Sequence, residues 1–146
     1  MKLDTTPDQT LVLAIADSWD RLLGRLESGL SHISGISFAE YRLLRAIALT
    51  PGGRASRVDL AEVTALSPSG VTRALRPLEK LGFVETQRAE RDARLALASL
   101  TPAGEELVRN ASGVVDDVAG ALVEQAPHGA AERDQLVRLL RELLSG

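Results

Sequence analysis

Five Ser or Thr residues, each opening an apolar run of helical period, divide this chain into helices and leave little length for other structure. Thr6-Pro7-Asp8-Gln9 and Ser37-Phe38-Ala39-Glu40 have the spacing of a capping box, with a hydroxyl at the N-cap and a Gln or Glu three residues on. Ser56-Arg57-Val58-Asp59, Ser67-Pro68 and Thr101-Pro102 mark three more starts. Proline suits the first helical position because the N–H it lacks would be unpaired there. Behind the first cap, Leu11, Ile15, Trp19, Leu22, Leu26 and Leu30 recur every three or four residues, and Gly29 to Gly35 closes the segment. Leu43, Leu44 and Ile47 follow the second cap, and Thr50-Pro51-Gly52-Gly53 stops that helix. The third helix is short, and only Ala65, Leu66 and Ser67 separate it from the fourth.

After Gly82 the period changes from helix to strand. FVETQRA and RLALASLT are short strand-like runs around the charged Glu90–Ala93, which predicts a small β-hairpin. A long helix with Leu107, Ala111, Val114, Val115, Val118 and Leu122 comes next, then a last helix with Leu136, Leu139, Leu140, Leu143 and Leu144. The expected fold is mainly α with a small β-hairpin. A short helix, a tight turn and a second helix form a helix-turn-helix, and the hairpin behind it is placed to be a wing.

The fourth helix carries the chemistry. On a wheel of about 100° per residue, Val71, Ala74, Leu75, Leu78 and Leu81 share one face. Ser69, Arg73, Arg76 and Lys80 lie on the opposite one, with Ser67 and Thr72 near the N-terminal turn. Arg can pair with the O6 and N7 edges of guanine, and Ser or Thr can contact bases or phosphates. A helix N-terminus adds free N–H groups and a favourable dipole for phosphate. Pro77 interrupts the hydrogen-bond ladder but falls on the polar face, so the helix is expected to bend there and continue. In the hairpin, Arg91, Asp92 and Arg94 cluster at the tip, where an Arg can enter a narrow A·T-rich minor groove. The competing reading of the same faces is a solvated amphipathic helix and a solvated turn, or a winged-helix module that binds another protein without specific DNA binding.

Net charge on its own argues against a nucleic-acid partner, but its distribution matters more. The net charge is −3, but residues 54–94 hold eight Lys/Arg against six acids, or +2, and the remainder holds nine against fourteen, or −5. With no Cys, disulfides and thiolate metal sites are excluded. There is no run of 18 apolar residues and no visible secretory signal at the N-terminus, so a cytoplasmic protein without a membrane partner is expected. His32 and His128 are far apart, and there is no Gly-rich phosphate loop, metal-spaced cluster or nucleophile motif. Neither an enzyme, a metal nor a cofactor is therefore expected.

The order of elements, with LSPSGVTRALRPLEKLGFVE followed by RDARLALASLTPAGEEL, resembles the MarR family of winged helix-turn-helix regulators. The resemblance implies a homodimer, with an N-terminal dimerisation helix (1–35), a winged helix-turn-helix lobe (36–100) and C-terminal dimerisation helices (101–146). It implies a transcriptional repressor of a pseudo-palindromic double-stranded DNA operator, released by a small aromatic or anionic effector. Ser67, Ser69, Thr72, Arg73 and Arg76 match the reading face, and Asp92 and Arg94 the wing. The broad apolar stripes of the first, fifth and sixth helices agree with an interface that a two-fold dimer buries. Trp19 and His32 are candidate effector contacts, because such a pocket is apolar with a few polar groups.

Overall fold

The caps read from the sequence are formed. The computed structural model describes residues 5–89, 92–125 and 129–144, with the backbone alone at 88–89 and 92–95. The Thr6 hydroxyl accepts from the Gln9 N–H and the Gln9 side chain accepts from the Thr6 N–H, both at 3.2 Å, which starts α1 (Pro7–Ile33). Ser37 and Glu40 form the same reciprocal pair at 3.1 and 2.8 Å and start α2 (Phe38–Leu49). A 3-10 turn, Pro51–Gly53, follows, with Gly52 and Gly53 at φ 80° and 65°. Next come β1 (Arg54–Ser56) and α3 (Arg57–Thr64), the latter capped by Ser56 and Asp59. The rest is α4 (Pro68–Lys80), β2 (Val84–Ala89), β3 (Asp92–Leu100), α5 (Pro102–Gln125) and α6 (Ala130–Leu144).

The core is built around α2. Leu43, Leu44 and Ile47 are wholly buried and meet Leu60 of α3, Leu75 and Leu78 of α4, Ala98 of β3 and Ala111 of α5 in one cluster. The mainly α fold and the hairpin are as expected, and the hairpin gains a third strand. β1 pairs antiparallel with β3, Ala55 opposite Ala98, giving the order β1-β3-β2. Three residues after a double glycine carry too little periodicity to announce a strand; pairing with β3, some forty residues on, creates it.

Two features of the apolar stripes differ from the wheel. Leu81 is 66 % exposed, although it shares the angular sector of Leu75 and Leu78. The helix ends at Lys80, and Leu81 is already the C-cap of a Schellman turn. Gly82 takes φ 78°, its N–H bonds to the Glu79 carbonyl at 3.0 Å, and the Phe83 N–H bonds to the Leu78 carbonyl at 2.9 Å. On α1, only Leu26 and Leu30 are buried; Leu11 and Trp19 stay exposed. Pro77 lies on the exposed face of α4, which runs through it as one helix.

Candidate nucleic-acid interface

The turn between α3 and α4 sets where the polar face points. Ala65 adopts the left-handed region at φ 56°, a conformation that costs an L-residue about 1–2 kcal/mol. It reverses the chain within three residues. Thr64 is buried at the end of α3 and donates to the Leu60 carbonyl at 2.5 Å, so it leaves no orphan hydroxyl. Val71, Leu75 and Leu78 then anchor α4 on α3 and the core. With that face fixed, Ser69, Arg73, Arg76 and Lys80 are all exposed on the outward one, and Thr72 is half-buried.

The hydroxyls at the start of α4 are partly committed. Ser67 Oγ accepts the Gly70 N–H at 3.1 Å and lies 3.1 Å from Ser69 Oγ. Thr72 donates to the Pro68 carbonyl at 3.0 Å. Pro68 has no N–H, so the N-terminus offers an incoming phosphate the Ser69 N–H rather than a full turn of donors. Ser67 acts first as a cap, and the exposed Arg73, Arg76 and Lys80 are the positive charges of this face.

The wing is joined to the reading helix at its root. Glu79, in the last turn of α4, accepts a hydrogen bond from the Thr86 hydroxyl on β2. Thr101 ties the far strand back: its hydroxyl donates to the Gly82 carbonyl at 2.6 Å, its N–H donates to the Phe83 carbonyl at 3.1 Å, and Gly104 N–H caps onto its Oγ at 3.1 Å. A Cβ on Gly104 would sit 2.0 Å from the Phe83 carbonyl oxygen, which gives the LTPAG segment a reason to hold glycine there. Local sequence pattern does not encode these ties, because they join residues up to 21 positions apart. The threonines and the glycine were visible, but their partners were not.

β2 and β3 pair from Val84↔Leu100 to Arg88↔Ala96, with a bulge between Arg88 and Ala89. Arg91 lies outside the described residues, and Asp92 and Arg94 are described by backbone alone at the start of β3. Trp19 and His32 are not brought together. Trp19 lines an apolar cleft of about 540 Å3 with Ile15 and Leu22 of α1 and Leu136, Leu140 and Leu144 of α6. His32 is exposed in the last turn of α1 and is not part of that lining.

Comparison with known proteins agrees with this geometry. Residues 34–95 match the sequence profile described as the MarR family. Over that segment the chain is similar to the MarR family. Its similarity to other proteins extends well beyond the matched segment. Over 137 residues it is 28% identical to the "Uncharacterized HTH-type transcriptional regulator YdcH" of Bacillus subtilis (strain 168), covering 92% of this chain and 87% of that protein. Sco3205, a MarR family transcriptional regulator from Streptomyces coelicolor crystallised in complex with DNA, superposes with a TM-score of 0.84 at 26% identity, over 97% of this chain and 89% of that one. AbsC, a MarR family transcriptional regulator from the same organism, gives 0.79 at 26% identity over 99% of both chains. The chain accordingly has the winged helix-turn-helix fold of the MarR family transcriptional regulators it resembles. No helix among the described residues is long and apolar enough to cross a membrane.

Proposed function

We propose that the protein is a dimeric, sequence-specific DNA-binding regulator that places α4 in the major groove and the wing in the adjacent minor groove. The observation that carries this reading is the division of α4: one face is sealed into the core by Val71, Leu75 and Leu78, and the other presents Arg73, Arg76 and Lys80 to solvent. Sco3205, the neighbour crystallised with DNA, supports the same use of the fold. Arg73 and Arg76 read base edges, Ser69 and Thr72 contact bases or phosphates, and Lys80 meets the backbone. Arg91 and Arg94 enter the minor groove, with Asp92 holding the tip.

The dimer rests on α6. None of its described residues is buried, yet Leu136, Val137, Leu139, Leu143 and Leu144 are exposed on it, and Leu11, Val12, Leu13 and Trp19 are exposed on α1. Apolar area of that extent belongs to an interface. A second copy covering it gives a two-fold pair of reading helices, matched to a pseudo-palindrome. On this reading the protein acts in the cytoplasm as a repressor, released when a small aromatic or anionic effector alters the spacing of the two helices. Residues 1–35 and 101–146 form the dimerising part and 36–100 the reading part. The Trp19 ring, 6.2 Å from that of Phe38, is the better effector contact of the two candidates, because it faces a cleft and His32 does not.

Selection of bound duplexes from a random pool tests the reading. Enrichment of a two-fold motif is expected, and Arg73→Ala weakens binding to it by about 1–3 kcal/mol, or roughly five- to 150-fold, with relaxed choice at one base pair per half-site. A pool that stays random after selection rules the reading out and leaves the protein-interaction module in its place.

A further inference from the structure

The flank of the winged lobe carries a surface that the reading helix does not use. A cleft of about 510 Å3 lies between α2 and α3. Arg42 and Arg45 stand on its α2 wall, Asp59 and Glu62 on its α3 wall, and Leu49 and Val63 border it. Leu49 is 65 % exposed and Val63 63 %, and Val58 on the same helix is 57 % exposed. No α4 residue lines the cleft. Arg42, Arg45 and Glu62 make no ion pair with any described residue, so the two walls face each other without closing.

The charges have an order that a single copy does not satisfy. Arg42 and Arg45 are three residues apart on one helix, and Asp59 and Glu62 three apart on the other. Like charges at that spacing are neighbours on a helix surface and repel mildly. Rotating such a patch by 180° about an axis through its middle lays each basic wall on the acidic wall of the other copy. The apolar residues then meet each other, which is the self-complementarity an isologous contact requires.

We propose that this cleft is a contact between copies of this chain, through which two dimers bind cooperatively on adjacent DNA sites. The inference rests on the DNA-binding reading above. A patch this small does not hold molecules together in dilute solution. DNA carrying two sites raises the effective concentration of the neighbours to about the millimolar range, where a weak contact counts. The opposed charges determine which faces meet.

The test uses the full chain and duplexes that hold either one selected site or two, with the centre-to-centre distance stepped one base pair at a time through a helical turn. At the favoured distance, the second dimer is expected to bind about tenfold tighter than the first. Arg45→Glu and Glu62→Arg each remove that gain. Combining both in one chain restores it, because the two exchanged charges again oppose each other across the contact. Single-site affinity stays within about twofold throughout, since neither residue belongs to the reading face. Absence of cooperativity at every distance overturns the contact. So does cooperativity that survives both single swaps, or a combined variant that stays defective while single-site binding is intact. If no single site is bound selectively, the DNA-binding reading fails first and the contact falls with it.

Discussion

Leu43, Leu44 and Ile47 on α2 are wholly buried, whereas Leu136, Leu139, Leu143 and Leu144 on α6 are half or more exposed. Both helices have apolar residues at helical spacing, and both are fully formed. The difference is where the partner elements lie. The winged lobe supplies its own: α2 is covered by α1, α3, α4, α5 and the sheet. No described residue of α6 is buried by the rest of the chain, although its leucines would suit a core. Helical period therefore reports that a face is to be covered, and says nothing of whether the cover belongs to the same chain.

The sharpest way to break this comparison is to truncate one leucine in each region. Leu44→Ala is expected to lower unfolding stability by about 2–5 kcal/mol, through lost burial and a residual cavity, at any protein concentration. Leu143→Ala should change the stability of a dilute monomer by less than about 0.5 kcal/mol, as other exposed substitutions do. In concentrated solution its cost should emerge as a weakened dimer, because association adds to stability by mass action. Thermal midpoints measured over a hundredfold range of concentration decide it: a Leu143→Ala effect with no concentration dependence would place α6 outside any interface.

Gly104→Ala probes the joint between the wing root and α5. The added Cβ would collide with the Phe83 backbone, which unlike a flexible side chain cannot turn aside. A loss of about 1–3 kcal/mol is expected, of the size overpacking brings, together with weaker DNA binding as the wing shifts. Unchanged urea midpoints for this variant would show that the joint yields more easily than the geometry requires.

Tyr41→Phe is a smaller change between the regions themselves. Tyr41 is buried on α2, and its hydroxyl lies 3.2 Å from Ser112 Oγ on α5; close by, Glu27 of α1 accepts the Phe38 N–H at 3.0 Å. These hydrogen bonds fasten the winged lobe to the long helices. Removing the hydroxyl should cost about 0.5–1.5 kcal/mol in denaturant unfolding, and the ring remains to fill its place. A variant as stable as the parent would mean that packing alone holds the two regions together.

What could be read from the sequence follows the range of each interaction. The caps at Thr6, Ser37, Ser56, Ser67 and Thr101 involve partners at most four residues away, and all five are formed. The division of α4 into core and polar faces was legible because one helix contains it. Leu81 shares the sector of the core leucines yet stays exposed, because periodicity carries no mark for the residue at which it stops; the Gly82 turn withdraws that leucine from the core. β1, the Thr86–Glu79 bond and the fit of Gly104 against Phe83 depend on the chain meeting itself, and nothing local encodes them. For the reading face, the residue types and their side of the helix were legible. That Ser67 is occupied as a cap, leaving the Ser69 N–H at the helix start, needed the structure.

Asp59 gives the smallest effect and the only one with a pH signature. At the start of α3 it accepts from the Ser56 hydroxyl at 2.8 Å and from the Ser56 N–H at 3.1 Å, and these bonds, the hydroxyl first, hold its carboxyl below the usual value of 3.8. A depressed folded pKa means that the unfolded chain takes up the proton first as acid is added. The cap's contribution is therefore complete above the unfolded pKa and is lost as pH falls through the lower, folded one. Asp59→Asn keeps the side chain's shape but removes the charge. The parent should be the more stable of the two near neutral pH, and the gap between them should close as pH drops from about 5 to about 2. A gap that stays constant over that range would mean that the cap acts through the neutral hydrogen bond, and that the carboxylate charge adds nothing to it.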